Sequence, residues 1–187
     1  MWWHVFAVQQ PDGEWKPFCA ADAQGRTRGF PLAGRMQPGG TLAQGEPGTF
    51  ELVCATGTAA KCVLHGYLPW RTGPDGSPLA PGHEACMRML RADYAGDGRT
   101  STRDGTLVGF RDRWDLHAFD EPVTDAQFEA GWDAQGAVCV RRPRLSEGES
   151  LAALEARVPR LRGRTGESCT PAAAQSLGAL LWNWTPR

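Results

Sequence analysis

The chain has 187 residues and a formal net charge of −1, with 41% apolar and 22% charged residues. That length suits one domain, residues 1–187, with a sizeable core, and eight Trp, seven Phe and two Tyr exclude a disordered chain. No apolar run approaches the 18 or so residues of a membrane-spanning helix, and the near-zero charge argues against a sequence-independent nucleic-acid binder.

From the N-terminus, the aromatic stretch 2–8 predicts a strand. Pro11-Asp12-Gly13 is a turn, and 15–19 is the returning arm of a hairpin. Residues 30–36 read as a short strand and Pro38-Gly39-Gly40 as a loop. Residues 49–55 alternate in the manner of a strand. Residues 58–65 form a short helix stopped by Gly66. The clearest helix spans 81–94, where Cys86, Met87, Leu90 and Tyr94 make one apolar stripe, and Gly96 and Gly98 end it. A strand is expected over 106–110. A hairpin is expected from 128–132 and 137–142 across the turn ending at Gly136. Ser146 and Glu149 make a capping-box pattern that opens a helix running to about Val158. A last strand covers 179–184. The mixture without regular alternation is α+β: short antiparallel strands with two or three helices.

The cysteines are Cys19, Cys54, Cys62, Cys86, Cys139 and Cys169. None forms a C-x-x-C pair, which disfavours structural zinc. An even number along a Gly- and Pro-rich chain predicts up to three disulfides, and hence an oxidising compartment. Fifteen pairings are open. Six reduced, buried cysteines in the cytosol are the bland alternative. Met1-Trp2-Trp3 carries no secretory leader, so an export signal is expected outside this chain.

Only Lys16 and Lys61 are lysines, and charge is segregated. Residues 112–133 hold seven acidic side chains and one Arg, whereas 141–164 hold seven Arg and three Glu. This reads as two solvated, mutually attractive faces.

The run Ala85-Cys-Met-Arg-Met-Leu-Arg-Ala-Asp-Tyr94, with Gly96-Asp-Gly98 and Arg103-Asp-Gly-Thr106, resembles the bacterial ADYC domain family, named for an Ala-Asp-Tyr-Cys tetrapeptide. Ala60-Lys-Cys62, Gly66-Tyr67, Pro69-Trp70, Gly136-Ala-Val-Cys-Val-Arg141 and Trp2-Trp3-His4 fit the same family. The resemblance implies an exported domain and carries over no activity. Here the tetrapeptide is Ala92-Asp93-Tyr94-Ala95. Three accounts of Ala95 stay open: natural drift, an engineered removal of a reactive thiol, or loss of one half of a bridge.

Three functional readings follow. The first is a non-catalytic secreted or cell-surface binding or structural module, with an extracellular protein or glycan as partner. Its signal is the Trp content, since exposed Trp favours binding. At least half of the eight are expected in the core. The second is a thiol-dependent hydrolase or transferase family in which this chain, with Ala95, is inactive. His83, His117 and Asp115 are its candidate partners around position 95, although a helix C-terminus would raise a thiol pKa there. The third is a calcium-stabilised loop. Asp93, Asp97, Gly98, Ser101 and Asp104 fall at EF-hand positions 1, 5, 6, 9 and 12, while Ala95 fails position 3. No other cofactor is expected.

Overall fold

The computed structural model describes residues 3–37, 41–43, 47–117, 127–145 and 148–185. The loop expected at Pro38-Gly39-Gly40 and the residue Ser146 lie outside these. The first elements are small ribbons. Strands β1 (Ala7–Gln9) and β2 (Trp15–Pro17) form an antiparallel hairpin. β3 (Gly29–Ala33) pairs with β6 (Phe50–Cys54), and between them β4 (Arg35–Met36) pairs with β5 (Leu42–Ala43). Phe30, Leu32 and Val53 turn one face of the β3–β6 ribbon into the core, as period-two alternation requires.

Helix α1 (Thr58–Leu64) precedes α2 (Ala80–Arg91). Pro81 sits in the first turn of α2, where its missing N–H costs nothing. The helix ends earlier than the sequence implies, at Ala92 rather than at the glycines. Ala92 takes a left-handed φ of 51°, and the N–H groups of Ala92 and Asp93 return to the carbonyls of Met89 and Arg88. This is the closure usually built on Gly.

β7 (Gly109–Asp112), β8 (Phe128–Asp133), β9 (Gly136–Val140) and β10 (Leu181–Trp184) form one antiparallel sheet in the order β7-β10-β8-β9. The strand expected at 106–110 therefore begins later, because its hydrogen-bond partner β10 pairs only with residues 109–112. α3 (Leu151–Arg157) is capped by Ser150, whose side chain accepts from the Ala153 N–H. Glu149, expected in a capping box, instead pairs with Arg157. α4 (Pro171–Ser176), capped by Thr170, is a fourth helix among the described residues.

The sheet is covered on both sides. Trp132, Leu181 and Val140 face α2 in the main core, together with Tyr67, Phe110, Met87 and Met89. Phe128, Val138, Ala179 and Trp184 form a second cluster beneath α4. Two-sided burial explains why β9 is buried at every position. Three disulfides hold the fold: Cys19–Cys54, Cys62–Cys86 and Cys139–Cys169. No helix among the described residues is long and apolar enough to cross a membrane.

Candidate functional site

The signature tetrapeptide lies where α2 meets the β8–β9 turn. Ala92 closes the helix. Asp93 is buried and accepts from Arg88 Nη1 at 2.5 Å, from the Asp97 N–H at 3.1 Å and from the Gly98 N–H at 2.9 Å. Tyr94 donates its hydroxyl to Glu129 Oε1 at 3.0 Å and accepts from the Arg144 N–H at 2.7 Å. Ala95 is half-buried against the core. The backbone beside it is tightly apposed: Gly96, at φ 72°, lies so close to Gln135 that a Cβ would stand 1.8 Å from its carbonyl oxygen.

Behind Tyr94 is a polar network that sequence reasoning missed. Arg144 meets both oxygens of Glu129 at 3.0 Å and donates to the carbonyls of Met89 and Leu90. Its cation thus also serves the negative C-terminus of α2. Asn183 Nδ2 donates to Glu129 and its Oδ1 accepts from the Trp132 indole. Burial, then the Glu129 carboxylate, pushes the Tyr94 hydroxyl well above its ordinary range. The sequence placed Glu129 in an acidic run and Arg144 in a basic one. Charge counting places both on solvated faces, yet both side chains are buried. The signal was Glu129 set between Phe128 and Ala130 in a strand.

The candidates around position 95 are not assembled. His83 lies in the first turn of α2, roughly 12 Å along the axis from the last turn that precedes Ala95. Its Nδ1 lies 2.9 Å from the Tyr67 carbonyl, which only accepts, so Nδ1 carries the proton. Burial lowers the His83 pKa, and its Nε2 has no partner among the described residues. His117 stacks on Phe110 at 4.1 Å and meets His65 edge-on at 4.8 Å. Burial, His117 and Lys61, in that order, push the His65 imidazole down to about 4. Asp115 is exposed, with a left-handed φ of 54°. Asp112 is the carboxylate that organises this corner: it accepts from Tyr67 Oη and from the N–H groups of Trp114, Leu116 and His117. Burial and Asp112 raise the Tyr67 pKa.

The calcium geometry is not assembled either. Both Asp93 oxygens are spent on Arg88 and backbone N–H groups. Asp97 pairs with Arg157 at 2.8 Å, Ser101 donates its N–H to the Arg91 carbonyl, and Asp104 is exposed. No cluster of three or more metal-ligating side chains occurs among the described residues.

Of the seven described Trp, Trp114, Trp132 and Trp184 are buried, Trp3 and Trp182 are half-buried, and Trp15 and Trp70 are exposed. Two open clefts stand apart from the buried network. One, of about 660 Å³, lies on the outer face of the β3–β6 ribbon and is lined by Phe6, Pro31, Phe50 and Leu52. The other, of about 500 Å³, lies over β7 and β10 and includes Arg111, Asp115, Gln175 and Trp182.

These features describe a disulfide-stapled α+β domain whose signature residues end a helix and tie it to a sheet. The chain belongs to the ADYC domain family, whose family model matches residues 1–146. No curated protein and no solved structure matches it.

Proposed function

We propose that the protein is an exported, non-catalytic binding module, built as a single domain for a cell surface or the extracellular space. The observation that carries this is the apolar surface of the N-terminal ribbons. Phe50 and Leu52 are exposed on β6, and Val5, Val8, Trp15 and Phe18 are exposed on and beside the first hairpin. Exposed apolar surface concentrated in one region marks an interaction site more often than chance. Three disulfides support an oxidising location. The buried ionisable groups support a structural rather than chemical role, since Asp93, Asp112, Glu129 and Arg144 each bond groups that fix the fold. The test is retention of displayed peptides and defined oligosaccharides by the oxidised protein. Selective, saturable retention supports the reading. Failure to retain any ligand, or turnover of the retained one, overturns it.

A further inference from the structure

The face of the sheet under α4 is covered unevenly. Ala174 and Ala179 pack over Gly131 on β8, where a Cβ would stand 2.5 Å from that of Ala174. Over β10 and the edge strand β7 the same face opens into the cleft of about 500 Å³. That size falls in the range of small-ligand sites. Trp182 and Arg111 are direct cross-strand partners, so their side chains stand side by side. Trp182 is half-buried against the cluster beneath α4, and Arg111 is exposed. Gln175 on α4, Asp115 beyond the end of β7, and Asp112 and Arg113 also line the cleft.

The side chains of Arg111, Asp115 and Gln175 have no hydrogen-bond or ion-pair partner among the described residues. Their neighbours are committed: Arg113 pairs with Asp75, and Asp112 serves Tyr67 and the following turn. The cleft therefore offers one cation, one anion and one amide around a half-open indole. An anionic ligand would meet Asp115, and a cationic one would meet Arg111. A neutral ligand rich in hydroxyls satisfies all three, because each hydroxyl both donates and accepts. Planar guanidinium, carboxylate and amide groups suit paired hydroxyls, and the indole face suits a ring with an apolar C–H side.

We propose that this cleft is a carbohydrate-binding subsite, with Trp182 as the stacking platform and Arg111, Asp115 and Gln175 as hydroxyl partners. The proposal rests on the binding-module reading. The experiment is calorimetry and saturation-transfer NMR with cello-, xylo-, manno- and N-acetylglucosamine pentasaccharides. Wild-type protein is compared with Arg111→Ala, Gln175→Ala and Trp182→Ala. Arg111 and Gln175 are exposed, so their variants keep the wild-type melting midpoint. Binding of one sugar class, weakened about tenfold or more by Arg111→Ala through loss of a charged hydrogen bond, is the expected result. Absence of binding across the four sugars, or equal binding by wild type, Arg111→Ala and Gln175→Ala, overturns the proposal. A peptide ligand unaffected by these variants, with no sugar bound, overturns the carbohydrate assignment and leaves the module reading standing.

Discussion

Glu129 and Arg144 meet at 3.0 Å with side chains 0% and 1% exposed. The pair sits between Tyr94 of the signature and Asn183 of β10, so it joins the end of α2 to the centre of the sheet. Removing one partner strands a charge out of water. Arg144→Met or Glu129→Gln is expected to cost about 3–5 kcal/mol of unfolding free energy. A double variant, Glu129→Gln with Arg144→Met, should lose less than the sum of the two. Urea unfolding of the four proteins checks this; additive losses would remove the coupling.

The oxidised protein should show no thiol accessible to alkylation, because all six cysteines are bridged. Replacing Cys139 and Cys169 together by Ala opens a loop with a sequence separation of 30. The expected loss is about 3–4 kcal/mol by loop-closure entropy. Intact mass with and without reductant tests the first statement, and denaturant midpoints test the second.

Stability should fall on acidification through the window from about pH 6.5 to about 4. An unfolded imidazole takes its proton near pH 6.5, whereas folded His65 takes it only at about 4. Between those values the unfolded state binds more protons, so the unfolding free energy decreases as pH drops. Above the window the effect vanishes. Buried His83, also lowered, acts in the same direction. His65→Phe should flatten the profile when urea midpoints at pH 7.5 and 4.5 are compared; an unchanged slope would place the dependence elsewhere.

A chain cut after residue 146 should not fold cooperatively, although the family match ends there. It lacks β10, which separates β7 from β8, and it leaves Cys139 without Cys169. Loss of the near-ultraviolet dichroism of the buried Trp residues is the expected readout. A native-like spectrum would show that residues 147–187 are dispensable.

Restoring the signature thiol tests position 95. Ala95→Cys should fold with the three bridges intact and take up one alkylating group per chain. Peptide mapping should place that label on residue 95; a label on one of the six native cysteines would mean that the new thiol has displaced a native partner, and uptake of three would mean that a native bridge has opened.

The sequence made local features readable and distant ones opaque. The stripe through Cys86 and Leu90 marked α2, and Gly136 marked the β8–β9 hairpin, because both depend on neighbours within a few residues. The left-handed stop at Ala92 was hidden, since glycine is the usual residue there and two glycines follow. Helix α4 was overlooked although Thr170-Pro171 is a cap followed by a first-turn proline. The Glu129–Arg144 pair could not be read from charge counting, because burial is a property of the assembled sheet. The cleft at Trp182 draws on residues 111, 115, 175 and 182, and only the insertion of β10 beside β7 brings these segments together.

The three bridges join first to second, third to fourth and fifth to sixth cysteine, with separations of 35, 24 and 30 residues. No loop encloses another cysteine. A chain delivered N-terminus first into an oxidant therefore presents each cysteine with its native partner before any rival from a later pair has arrived. Of fifteen arrangements, this is the one that needs no reshuffling: the order of appearance does the sorting that an isomerase performs for interleaved bridges.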